Sequence, residues 1–99
     1  MALSLKQDRK LTSELLAHCG RIIRETRYTP VNLRSMLTNE GAQSTLRRIS
    51  SRETSGLARL YELNRPDLAI EKYVLDSDWA TVLDPAIVTQ CRLNLGRVT

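Results

Sequence analysis

The sequence predicts an all-α fold, a single compact bundle of five or six short helices. Three observations carry that expectation. Apolar residues recur at three- and four-residue spacing over most of the chain. Hydroxyl or carboxylate caps and prolines punctuate it at Ser4, Thr29-Pro30, Pro66 and Asp84-Pro85. No segment shows the two-residue alternation of a half-buried strand. Phe is absent and the aromatics are one Trp and three Tyr, so the core falls to Leu, Ile, Val, Ala and Met, which suits helices. A chain of 99 residues suffices for one domain. Residues 1–27 read as an amino-terminal amphipathic helix and 28–99 as a bundle of shorter ones.

The first helix is expected over Leu5 to Glu25, with Leu11, Leu15, Cys19, Ile22 and Ile23 on one stripe and Leu16 widening it. Ser4 and Gln7 have the form of a capping box, although Thr12 or Ser13 could start a shorter helix. Thr29-Pro30, a cap followed by the residue favoured at the first helical position, predicts a second helix to about Thr38 with Leu33, Met36 and Leu37 inward. Asn39-Glu40-Gly41 then supplies a turn in which Gly can take positive φ. A third helix, about Ala42 to Ser50, carries Ala42, Leu46 and Ile49 on one stripe. Ser50 to Ser55 is polar and turn-like, and Thr54 or Ser55 can cap a fourth helix bearing Leu57, Leu60, Tyr61 and Leu63. Asn64 can end it in the left-handed conformation. Pro66 opens a fifth helix, with Asp67 against its positive end and Leu68, Val74 and Leu75 inward. Asp84-Pro85 starts the last, marked by Ile87, Val88, Cys91 and Leu95 and ended by Gly96.

From Tyr28 to about Leu95 the chain resembles small helical bacterial domains of uncharacterised function. The matching pieces are Tyr28-Thr29-Pro30, Met36, Gly41-Ala42, Leu46, Thr54-Ser55-Gly56-Leu57, Leu60, Arg65, Asp67-Leu68, Glu71, Val74-Leu75-Asp76 and Trp79. Asn64-Arg65-Pro66-Asp67-Leu68 stands where those relatives carry Gly-Arg-Leu-Asp-Leu; Asn and Pro preserve the inferred helix break. The resemblance implies a helical fold and carries no function. Residues 1–27 lie outside it.

The chemistry on offer is thin. Cys19 and Cys91 lie far apart with no CxxC or Cys/His pattern, so two buried thiols are expected rather than a disulfide or a zinc site. His18 precedes Cys19, but adjacent helical residues point about 100° apart and form no dyad; a partly exposed helix histidine is expected. Asp76, Asp78 and Asp84 lack the Gly and terminal Glu of a calcium loop and read as caps and a solvated turn. Glu71, Lys72 and Asp67 read as a helix charge pattern. No catalytic residue, cofactor or metal site is expected, and the chain is expected not to be an enzyme. The longest apolar runs are two or three residues, against about 20 for a membrane span. With no signal-peptide pattern at the amino end, the cytoplasm is the expected location.

Charge is the informative feature. The net +4 conceals a first half, residues 1–52, with ten Lys/Arg against four acids, and a second half with five against seven. Twelve of the fifteen bases are Arg, the side chain that forks onto phosphate and carboxylate. Pro30 to Ser50 has the outline of a helix–turn–helix. In such units the second helix enters the major groove, where Gln43 would read adenine, Ser44 would reach base or phosphate, and Arg47 and Arg48 would read guanine. Leu46, however, falls one position early for the apolar residue that pins this helix, and Arg47 takes its place. A short αα-hairpin would look similar. Phosphate contact needs only concentrated cations, which Arg24, Arg27, Arg34, Arg47, Arg48 and Arg52 would supply. The expected function is therefore a non-catalytic binding module contacting nucleic-acid phosphates through Arg34, Arg47, Arg48 and Arg52, with Gln43 and Ser44 as base readers. The alternative is a protein-interaction module or homo-oligomeric accessory subunit with no nucleic-acid role, for which Trp79, Leu83 and the outward faces of the last two helices would furnish an apolar patch.

Overall fold

In the computed structural model of the chain, which describes residues 3–51 and 57–97, Ser4 starts the first helix through a complete capping box. Its hydroxyl accepts from the Gln7 N–H at 3.1 Å, and Gln7 Oε1 accepts from the Ser4 N–H at 2.9 Å. The helix, α1, runs Leu5–Thr26 and closes on Arg27 in the left-handed conformation, φ 64°. At about 1.5 Å per residue it is roughly 33 Å long, comparable with the longest dimension of the molecule, 34 Å.

The remaining helices pack around it. They are α2 (Val31–Glu40), α3 (Ala42–Ser51), α4 (Leu57–Glu62), α5 (Ile70–Asp76) and α6 (Pro85–Arg97), with 3-10 turns at Pro66–Leu68 and Asp78–Thr81. No strand occurs among the described residues, and the all-α bundle read from the sequence is the fold observed. The larger core cluster joins Leu11, Leu15 and Cys19 of α1 to Leu33, Met36 and Leu37 of α2, Ala42, Leu46 and Ile49 of α3, Ile70 and Val74 of α5, and Ile87, Val88 and Cys91 of α6. A smaller one gathers Ile22, Leu57, Leu60, Leu68 and Ala69. Asn64 takes the left-handed conformation at the end of α4, φ 61°. Asp84 starts α6 by accepting the Ala86 N–H at 2.9 Å.

Four details differ from the sequence expectation. Pro30 is the cap of α2 rather than its first residue, no side chain caps that end, and the helix continues to Glu40. Gly96 lies inside α6, which runs on to Arg97. Pro66 opens only a 3-10 turn, after which Ala69 is extended, φ −61° and ψ 144°, before α5 begins. The cause is burial: Leu68, Ala69, Ile70 and Glu71 are all buried, and four successive residues of one helix, 100° apart, cannot all face a core. The extended residue turns Leu68 and Ala69 toward the smaller cluster and Ile70 toward the larger. Finally, Leu83 is buried in the larger cluster and Trp79 packs half-buried against it, so Leu83 adds nothing to the expected apolar patch, while Val82 and, on α6, Leu93 are exposed. The expected turn and caps between Arg52 and Ser55 lie outside the described residues.

Candidate functional site

α1 has two working flanks. On one, Asp8, Thr12 and Leu16 face α2 and α3. The Thr12 hydroxyl donates to the Asp8 carbonyl at 2.7 Å and accepts the Ala42 N–H at 2.8 Å. Asp8 Oδ1 accepts the Gln43 N–H at 2.8 Å. The first two N–H groups of α3 are thus satisfied by side chains of α1, and a carboxylate lies against the positive end of the helix. Gly41, the one residue between α2 and α3, permits this approach. Its φ of 86° with ψ of 170° suits glycine, and a Cβ there would lie 2.5 Å from Asp8 Oδ2.

This arrangement bears on the α3 residues expected to bind nucleic acid. Gln43 Oε1 accepts the Leu3 N–H at 2.5 Å, so its amide ties down the amino end of the chain. The role of adenine reader does not fit that placement. Thr45 is fully buried, its hydroxyl on the Gly41 carbonyl at 2.7 Å. Ser44, Arg47 and Arg48 are exposed on α3, and Arg48 is ion-paired with Glu40. DNA-reading helix–turn–helix units join their helices by three or four residues and leave the start of the second helix open to the groove. Here one residue joins them and Asp8 occupies the start. Arg52 lies outside the described residues.

Arg34 stands differently. It is exposed on α2 beside a shallow groove of about 470 Å³ between α1 and α2, whose walls are Leu16, Val31, Ser35, Thr38 and Asn39. The fold sorts the arginines of α1 and α2 into two sets. Arg21 is bonded to Glu25 at 2.5 Å, and Glu25 also accepts Arg65 at 2.7 Å, which reaches Asp67 at 3.1 Å. These contacts hold the Glu25 carboxyl below the usual carboxylate range, and that of Asp67 likewise through Arg65. Arg24, Arg27 and Arg34 are exposed, and none pairs with an acid among the described residues.

No family model, curated protein or solved structure matches this chain.

The second flank of α1 was not visible in the sequence. His18, expected to be partly exposed, is buried at 8% exposure. Its Nε2–H donates to the Leu68 carbonyl at 2.6 Å, and its ring lies 4.9 Å from that of Tyr73. The break at Ala69 frees that carbonyl, since α5 begins only at Ile70. Burial lowers the His18 pKa from its ordinary value, the Leu68 bond opposing and the Arg21 charge adding. One turn before His18, Glu14 Oε1 accepts both the Tyr73 hydroxyl at 2.7 Å and the Trp79 indole N–H at 3.1 Å. Desolvation and the Glu14 carboxylate push the Tyr73 phenol up to about 12. Only the four-residue spacing of Glu14 and His18 hinted at a shared face; their partners, 50 or more residues away, left no local signal. Among the described residues no three His, Cys, Asp or Glu side chains gather as a metal ligand set, and no helix is long and apolar enough to cross a membrane.

Proposed function

We propose that the chain is a non-catalytic binding module that contacts the phosphates of nucleic acid through Arg24, Arg27 and Arg34, extended on α3 by Arg47 and Arg48, without reading bases. The observation that carries this reading is the sorting of arginines. Those beside the acidic second half are held by Glu25, Glu62 and Asp67, whereas Arg24, Arg27 and Arg34 remain exposed without a described acid partner. Around Arg34, Ser35 and Thr38 add hydroxyl donors and Asn39 an amide, the groups that commonly join Arg on phosphate oxygens. The filled amino end of α3 speaks against base reading, because Asp8 covers the start of the helix and the Gln43 amide is engaged with Leu3; phosphate contact falls instead to the exposed arginines away from Asp8.

The test is fluorescence anisotropy of labelled duplex DNA, single-stranded DNA and RNA at several salt concentrations. Binding should weaken steeply with salt, the logarithmic slope being about −0.9 for each duplex phosphate neutralised. Arg24→Ala with Arg34→Ala should flatten the slope by roughly two such contacts, and Arg47→Ala with Arg48→Ala should flatten it further. Gln43→Ala should leave relative affinities among sequences unchanged. Absence of binding to all three probes at low salt overturns the proposal.

A further inference from the structure

A face of arginines can meet single-stranded or double-stranded nucleic acid, and the aromatic side chains decide between them. Proteins that bind single strands combine a cationic track with rings on which unpaired bases stack. This chain has no Phe, one Trp and three Tyr. All four rings are among the described residues, and none is exposed. Trp79 and Tyr73 pack against the larger core cluster, and the indole N–H and the phenol both donate to Glu14. Tyr28 and Tyr61 pack against the smaller cluster, and the Tyr61 hydroxyl donates to the Leu95 carbonyl at 3.4 Å. The single imidazole, His18, is buried beside Tyr73. Around Arg34 the groove offers Ser35, Thr38 and Asn39 with the aliphatic Leu16 and Val31, and no ring for a base to lie on.

Arg27 adds an observation that does not depend on charge. It closes α1 at φ 64°, a left-handed conformation that Gly or Asn adopts at lower cost. Asn64 fills the corresponding place after α4 at φ 61°. A long cation, exposed and without a described acid partner, thus stands where the backbone favours a small residue, and strain of this kind clusters at functional positions. We propose that the ligand is a double-stranded nucleic acid, held on its phosphates by Arg24, Arg27 and Arg34 with every base left stacked in the duplex, an assignment that rests on the phosphate contact proposed above. A duplex presents one charge for about every 1.7 Å of its axis, and it asks nothing of the protein for its bases.

The test compares a short duplex DNA, a single strand of equal length, and that strand with its bases replaced by abasic sites, each titrated by anisotropy over a range of salt. Slopes of about −0.9 per duplex phosphate against about −0.7 per single-strand phosphate, with three to five contacts and equal affinity at 1 M, make the duplex tighter by about 4- to 10-fold at 0.1 M salt. The abasic strand should bind as tightly as the intact one, since no base is held. Arg27→Asn should keep or raise the melting temperature while flattening the duplex slope by about 0.9, which separates a binding role from a structural one. Duplex RNA of the same length, run alongside, assigns the ligand to DNA or RNA by the tighter of the two. A single strand bound as tightly as the duplexes or more so, a several-fold loss on removing its bases, or an Arg27→Asn slope equal to that of the parent overturns the duplex assignment and leaves phosphate contact standing. Absence of binding to every probe at low salt overturns phosphate contact itself, and the duplex assignment with it.

Discussion

Gly41→Ala should be among the most damaging single-methyl additions this chain can receive, and its cost has two separable parts. The first is local. At φ 86° and ψ 170° the backbone occupies a region that residues with a Cβ avoid, which costs about 1–3 kcal/mol. The second is tertiary: the new methyl would sit 2.5 Å from Asp8 Oδ2 and push the carboxylate off the Gln43 N–H, forfeiting a helix cap worth about 0.5–2 kcal/mol. Together they come to roughly 1.5–5 kcal/mol, and each kcal/mol lowers the melting temperature of a domain this size by about 4–8 °C. Urea and thermal unfolding followed by circular dichroism measure the total. A cycle with Asp8→Ala divides it, because without the carboxylate Gly41→Ala should cost only the backbone part, leaving a coupling of at least about 0.5 kcal/mol. Gly20→Ala is the control: Gly20 lies within α1 with only the Arg24 side chain nearby, at 3.5 Å, and the substitution should stabilise by about 0.5–1 kcal/mol. A Gly41→Ala protein with an unchanged midpoint and m-value would refute this account, as would strict additivity with Asp8→Ala for the tertiary part.

Three other outcomes are expected. His18 is neutral in the fold with its pKa below the ordinary 6.5, so the unfolded chain takes up the proton first on acidification. Stability should be full above about pH 6.5 and fall as the pH drops from there through the folded-state pKa, and urea midpoints for His18→Gln between pH 7 and 5 should lack that component of the slope. Cys19 and Cys91 are fully buried, and burial raises their thiols to about 11 and about 12; a chromogenic disulfide reagent should find no reactive thiol in the native protein and two in denaturant. Asp84→Ala removes the acceptor of the Ala86 N–H and should cost about 0.5–2 kcal/mol by thermal melting.

Where structure rests on neighbours in sequence, the sequence was legible. The capping box of Ser4 and Gln7, the left-handed Asn64, the Asp84-Pro85 start and the inward stripe of Leu33, Met36 and Leu37 all follow from spacing and residue type alone. Tertiary competition hid the rest. Pro66-Asp67-Leu68 has every local mark of a continuing helix, and only the need to bury Leu68 through Glu71 together imposes the extended Ala69. His18 looks like a surface residue until that break frees a carbonyl for it. The arginines were visible as a surplus in the first half, but their sorting depends on which acids the fold brings near, as with Glu25 and Arg65, 40 residues apart. For the same reason Gln43, well suited by type to read a base, is claimed by Leu3.

The extended residue at Ala69 also partitions the molecule by cooperativity. It divides two apolar clusters that share α1, which gives Leu11, Leu15 and Cys19 to one and Ile22 to the other. The smaller cluster closes over short helical pieces, α4 and the 3-10 turn at Pro66–Leu68, with few side chains to lose. Such a unit opens at lower free energy than the whole. Slow hydrogen exchange therefore belongs to the central turns of α1 with α2, α3 and α6, while the amides of α4 exchange by a partial opening that leaves the larger cluster shut. That opening would carry the His18–Leu68 bond with it, since Leu68 belongs to the smaller cluster.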